Sequence, residues 1–207
     1  MASTNPPSQP LIGGNVYNKY HSRNPITRML MTGFLRSFDE LVDCTKARHA
    51  HEIGCGEGEL TLRMWRRGIS VRGCDASTEI IQQARSRAAS SQANIPFRAA
   101  SVYDLQPEDD SAELIVCCEV LEHLTQPEAA LQLLSRLAKP YLIVSVPREP
   151  VWRVLNIVRA KYLGQLGNTP GHLQHWSARS FTRMLSKHVD IVELRHPFPW
   201  TMALCKT

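Results

Sequence analysis

No apolar run in this chain approaches the ~20 residues that a helix needs to cross a bilayer, so no helical membrane span is expected. Its six cysteines (Cys44, Cys55, Cys74, Cys117, Cys118 and Cys205) include no C-x-x-C pair, and most lie in or beside apolar, strand-like runs. That pattern argues against a disulfide scaffold and for a reduced, cytoplasmic protein. The opening MASTNPPSQP lacks the basic and apolar stretches of a signal peptide. Internal repeats and low-complexity blocks are missing, and so is any appended nucleic-acid-binding module. Charge of one sign is scarce as well: the formal excess of +5 permits an anionic acceptor and demands none. What remains is a 207-residue chain with 43% hydrophobic content. That is enough for one full core, without room for a second large domain.

The most informative stretch is HEIGCGEGEL, from His51 to Leu60. It sets an acid, Glu52, two residues before a glycine-rich turn (Gly54, Gly56, Gly58) that opens into a helical pattern. Glycines at this spacing let a strand end turn tightly and bring its backbone against a ligand. A second acid, Asp75, ends the next apolar run, where it can reach ribose hydroxyls. A nucleoside-shaped cofactor lying across the carboxyl ends of neighbouring strands is therefore expected. The dinucleotide fingerprint G-x-G-x-x-G is not met, because Glu59 stands where its last glycine belongs. Glu57 and Glu59 also bring negative charge to the helix start, unfavourable for a phosphate and tolerable for a cation.

The acid-x-G-x-G-x-G order resembles motif I of the class I S-adenosylmethionine (SAM)-dependent methyltransferases. The resemblance implies a Rossmann-like, doubly wound α/β sheet of seven strands, mostly parallel with one antiparallel strand near the C-terminus. It implies SAM as cofactor. Glu52 with Gly54, Cys55, Gly56 and Gly58 would hold the methionine part, and Asp75 with Ala76 would take the ribose. Ser101 and Val102 would lie at the adenine, where many relatives carry an acid in place of Ser101.

Alternating strand and helix signals support that architecture. Strands are expected near 48–53, 70–75, 95–100, 114–118 and 141–146, with helices near 58–67, 77–90 and 126–138. SARSFTRMLSKH reads as a further helix capped by Ser177, before two strand-like runs at 190–195 and 199–206. Residues 1–46 form an N-terminal arm and lid helix outside the resemblance, and 47–207 form the domain. In the lid helix Asn24-Pro25 looks like a cap and first-turn proline. Ile26, Met29, Leu30, Phe34, Phe38, Leu41 and Val42 follow at helical spacing.

The second strong signal is ELIVCCEVLEHL (113–124), similar to motif IV of the same family. It implies that Cys118 and Glu119 border both the methionine end of the cofactor and the reacting centre. If the chain is helical from Val120 onward, Glu119, Glu122 and His123 share one face. His123 reads either as the general base or as a histidine satisfied by a backbone carbonyl. A metal ion held by Glu119, Glu122, His123 and His175 is the alternative, similar to the sites of some ubiquinone-pathway and small-RNA methyltransferases. Metal-free chemistry is expected, because His172 and His175 lie some 50 residues beyond the acids.

The long connection at 147–176 is read as an acceptor-binding insertion. Trp152 and Trp176 would stack on a flat or apolar acceptor, Arg148 or Arg153 would meet a carboxylate or phosphate, and His172 and His175 lie near its end. Tyr20 is expected in a lid over the cofactor. A small-molecule O or N nucleophile is the expected acceptor, taken by a monomer or homodimer. Nucleic acid is the less favoured acceptor, with Arg63, Arg66, Arg67 and Arg72 as a possible phosphate-tracking patch. A catalytically silent SAM-binding partner subunit is the reading from another class.

Overall fold

The computed structural model describes residues 24–152, 155 and 171–207. Helix α1 (Pro25–Thr45) begins where Asn24 Oδ1 accepts the backbone N–H of Ile26 and of Thr27, at 2.9 and 3.2 Å. This satisfies donors that no carbonyl of the first turn can reach. The helix stops where Lys46 turns left-handed. Its buried stripe is Met31, Phe34, Phe38, Leu41 and Val42, whereas Ile26 and Met29, expected on that stripe, face outward.

Seven strands follow: β1 (His49–Ile53), β2 (Ser70–Asp75), β3 (Phe97–Ala99), β4 (Ala112–Cys118), β5 (Ala138–Pro147), β6 (Asp190–Arg195) and β7 (Trp200–Lys206). Between them stand α2 (Glu59–Arg66), α3 (Thr78–Ser90), the single turn α4 (Pro107–Asp110), α5 (Pro127–Leu137) and α6 (Ala178–Leu185). The sheet runs β3-β2-β1-β4-β5-β7-β6, with β7 antiparallel to both neighbours and the other pairings parallel. The expected seven-stranded Rossmann-like architecture is thus observed. Strand order reverses between β1 and β4, and in open α/β sheets ligands bind beyond the carboxyl ends at such a switch point.

Two apolar cores cover the two faces. One gathers Phe34 and Phe38 of α1, Leu62 and Met64 of α2 and Ile81 of α3 over Val116, Cys118 and Trp200. The other gathers Leu131 and Leu134 of α5 with Phe181 and Leu185 of α6 over Ile115, Cys117 and Val144. Adjacent Cys117 and Cys118 fall in different cores, as alternation along a strand requires. All six cysteines are free thiols.

Ion pairs latch α1 across its face. Arg63 grips Asp39 through Nε and Nη2 at 2.6 and 2.5 Å, Arg67 pairs with Asp43, and Arg195 reaches Glu40 at 3.2 Å. Arg63 and Arg67 are therefore neutralised within the fold, and Arg72 donates to the Ser111 carbonyl at 3.0 Å. Of the four arginines read as a phosphate-tracking alternative, Arg63 and Arg67 are thus paired with acids of α1, and Arg66 is exposed.

His51 lies beneath the sheet's carboxyl edge, 2% exposed, with Nδ1 2.9 Å from the Asp110 carbonyl. Burial pushes its pKa down from 6.5 to about 4. A histidine depressed in the folded state contributes stability above its unfolded pKa and loses it as pH falls through the folded one. About 3 kcal/mol should disappear between those two values. Denaturant midpoints followed across pH are expected to show this loss in the wild type and a flatter acid limb in His51→Gln. An unchanged limb would show that His51 titrates normally.

Candidate functional site

At the carboxyl end of β1 the chain folds back over β2. The backbone N–H groups of Gly54 and Cys55 both donate to the Cys74 carbonyl at 2.8 Å. Gly54 has φ +72°, and a Cβ there would run into Val120 Cγ2, in the loop after β4. Gly56 has φ +52°, with nothing within 4 Å of where its Cβ would stand. The first glycine allows two loops to touch; the second leaves open space above the turn.

Asp75 ties this turn down. One carboxylate oxygen accepts the Gly56 N–H and the other the Ser77 N–H, both at 3.0 Å. The acid expected to meet a ribose therefore also builds the glycine turn. Glu52 is 3% exposed and accepts the Thr61 hydroxyl. Burial raises its pKa to about 8, opposed by the Thr61 hydrogen bonds and assisted by the neighbouring charge of Asp75. Glu57 and Glu59 do not stand as bare negative charge at the start of α2, since Arg87 of α3 pairs with both.

Beyond β3, Ser101 caps a 3₁₀ turn (Val102–Asp104), its hydroxyl accepting the Tyr103 N–H at 3.3 Å. Val102 is buried beside it, and Ala76 precedes the α3 cap, Ser77.

The condition that would have put Glu119, Glu122 and His123 on one helical face is not met at the end of β4. Glu119 takes a left-handed backbone, φ +60°, which costs a non-glycine residue about 1–2 kcal/mol. Its N–H donates to the Ser145 carbonyl at 3.0 Å. Its carboxyl group accepts the Trp200 indole N–H at 2.6 Å and the Ser145 hydroxyl at 3.3 Å. A 3₁₀ turn (Leu121–His123) follows, so Glu119 shares no α-helical face with Glu122 and His123.

Glu122 is buried, and His123 is exposed with Nδ1 2.9 Å from the Gly171 carbonyl. His172, reaching in from the far end of the long connection, sets its ring edge-on to His123 with centroids 4.9 Å apart. Ligand-capable atoms of Glu122, His123 and His172 all lie within 4.8 Å of one another. The alternative four-residue cluster of Glu119, Glu122, His123 and His175 does not form among the described residues. Glu119 is turned to Trp200, His175 is exposed, and His172 takes the third place.

The acceptor-binding expectations divide. Trp152 lies against Trp200 and His172, with centroids 5.6 and 6.3 Å away. Arg148 places its guanidinium 6.0 Å from the Phe198 ring. Trp176 instead packs on Phe181 in the second core, at 5.9 Å, and its carbonyl accepts the Glu149 N–H at 2.8 Å. Tyr20 and Arg153 lie outside the described residues. Sequence reading missed Ser145 and Trp200. A buried tryptophan needs an acceptor for its N–H, which was a usable signal at Trp200 without naming the partner.

Residues 50–141 match the family described as a methyltransferase domain. The ubiquinone biosynthesis O-methyltransferase of Alkalilimnicola ehrlichii is 33% identical over 125 residues, covering 58% of this chain and 51% of that protein. That of Xanthomonas oryzae pv. oryzae is 33% identical over 119 residues, 56% of this chain and 50% of its own. The chain thus spans about half the length of these curated relatives. Among solved structures, magnesium protoporphyrin IX methyltransferase from Synechocystis PCC 6803, with bound S-adenosylhomocysteine (SAH), superimposes with TM-score 0.68 at 18% identity. The match covers 89% of this chain and 88% of that one. A cyclase, SpnF, gives TM-score 0.64 at 15% identity over 83% and 80%. Likeness at these identities carries the fold alone.

Proposed function

We propose that this chain, which carries a methyltransferase domain of the class I, SAM-dependent family over residues 50–141, moves a methyl group from SAM to an oxygen of a small molecule. One observation carries the reading: the buried acid Glu52, the open glycine turn and Asp75 stand together at the switch point, one strand from Glu119. Relatives named as O-methyltransferases support oxygen as the nucleophile. The pairing of Arg63 and Arg67 with Asp39 and Asp43 supports a small molecule over nucleic acid.

Methyl transfer is an in-line displacement, so the protein's work is alignment, exclusion of water and removal of the acceptor's proton. Glu52 offers a buried carboxyl group to the ammonium of the methionine part, and Gly54 to Gly58, with Cys55, pass beneath it. Asp75, with Ala76, meets the ribose, and Ser101 and Val102 border the adenine. Cys118 and Glu119 flank the methyl group. His123 donates Nδ1–H to the Gly171 carbonyl, which leaves Nε2 with the lone pair that takes the acceptor's proton.

Calorimetry with SAM, SAH and NAD tests the cofactor, and turnover across pooled hydroxyl, amine and RNA acceptors tests the transfer. Micromolar or tighter binding of SAM and SAH is expected, with none of NAD; NAD binding without SAM would overturn the reading. SAM binding with no turnover on any pool would favour the silent subunit. Trp152→Ala is expected to raise acceptor KM while SAM affinity changes little; equal losses in both would make the 147–176 segment a folding element.

The cluster of Glu122, His123 and His172 favours a second reading, in which transfer to oxygen is assisted by a divalent cation. One carboxylate and two imidazoles suit a borderline cation, and the His123–Gly171 bond is of the kind that orients a ligating histidine. Such an ion lowers the pKa of a bound hydroxyl.

A further inference from the structure

Glu119 meets Trp200 because the register of three strands brings them together. Cys118 pairs with Ser145 across β4 and β5, and Ser145 pairs with Met202 across β5 and β7. Trp200, two residues before Met202, shares its face of the sheet. Its indole is 2% exposed and can only donate a hydrogen bond. Its ring is edge-on to Phe34 of α1 at 5.1 Å and tilted against Trp152 at 5.6 Å. Trp152 in turn lies beside His172, which meets His123. A line of five rings thus joins α1, the last strand, the acceptor segment and the histidine after β4.

We propose that Trp200 is a positioning residue: its N–H holds the Glu119 carboxyl group in the aim needed to accept a hydrogen bond from a polar group of the acceptor other than the hydroxyl that His123 deprotonates. Its ring ties that aim to α1 and to the acceptor-binding segment. The left-handed backbone at Glu119 turns the side chain out of the strand's pleat, and Ser145 and Trp200 fix where it then points. Trp200 touches neither reactant; it acts through Glu119. This rests on the methyltransferase reading above.

The test uses the full chain carrying isotope-labelled tryptophan, whose four indole N–H signals separate Trp200 from Trp65, Trp152 and Trp176. Glu119→Gln is expected to shift the Trp200 signal upfield and leave that of Trp65 in place. SAH should bind wild type and Trp200→Phe with affinities within about twofold, because the proposed role of the indole runs through Glu119 alone. Trp200→Phe keeps a ring against Phe34 and Trp152 while removing the donor and part of the indole's volume. Turnover on the best acceptor pool should then fall about tenfold, the scale of one hydrogen bond to a charged group. In the Glu119→Gln background the same change should cost nothing further, which general loosening of the core would not reproduce. A Trp200 signal indifferent to Glu119→Gln, or additive losses in the double variant, would overturn the proposal. Absence of SAH binding in the wild type would instead sink the methyltransferase reading, leaving the indole signal to report on the Glu119 contact alone.

Discussion

Gly56→Val is expected to abolish SAM binding, below detection by calorimetry, in a protein that still unfolds cooperatively. Two effects act together. A β-branched residue at φ +52° is strained by about 1–3 kcal/mol, which tilts the turn away from its observed form. The new side chain also fills space that the protein leaves empty, since nothing stands within 4 Å of the missing Cβ. That space lies over the turn whose Gly56 N–H is bonded to Asp75, where the proposed function puts the methionine part of the cofactor. Gly54→Ala is the contrasting variant. Its Cβ would collide with Val120, so it should lower the melting temperature as well as SAM affinity. A Gly56→Val protein that binds SAM normally would place the cofactor elsewhere.

The parts of the fold that sequence made legible are those specified locally. β1, β2, α2, α3 and α5 match their expected spans to within a residue or two, because strand runs and capped helical stripes announce themselves in short windows. β3 is shorter than expected, and β5 begins at Ala138, ahead of its apolar run, because Ala138 pairs with Ala112 of β4. Pairing partners are not local information. Glu52, Gly54, Gly56 and Asp75 were legible as a group for the same reason the strands were: one motif carries the turn and its flanking acids. The second role of Asp75, holding the Gly56 and Ser77 amides, was hidden in backbone geometry.

The sequence placed Glu119, Glu122 and His123 on one face only on the condition that the loop after β4 is helical, and the spacing of E-x-x-E-H cannot show a left-handed residue at Glu119. Arg63 and Arg67 looked like a surface patch because their partners, Asp39 and Asp43, lie on a different helix. Trp176 looked like an acceptor platform by its position in the long connection, yet its ring closes the core over Phe181. In each case a contact between distant segments decided the outcome.

If Glu122, His123 and His172 hold a divalent cation, chelator treatment is expected to remove most turnover on a hydroxyl acceptor, and added magnesium, manganese or zinc to restore it. Metal-free chemistry was expected from the sequence because His172 lies so far along the chain from Glu122 and His123. That separation does not survive folding: the Leu173 and Gln174 N–H groups both donate to the Glu122 carbonyl, at 2.8 and 3.0 Å, which brings His172 against His123. With three ligand-capable groups within 4.8 Å, a bound cation and a lone histidine base predict different mutant patterns. If a cation is held, Glu122→Ala and His172→Ala should each lose metal by elemental analysis and lower turnover about 100-fold or more, with SAM affinity little changed. If His123 works alone as a base, only His123→Ala should cost turnover on that scale, and Glu122→Ala should matter little. Glu119→Ala is a control for the cation reading, because its carboxyl group is turned to Trp200 and its removal should spare metal content. Full turnover in stripped protein, with unchanged activity in Glu122→Ala, would return the chemistry to His123 alone.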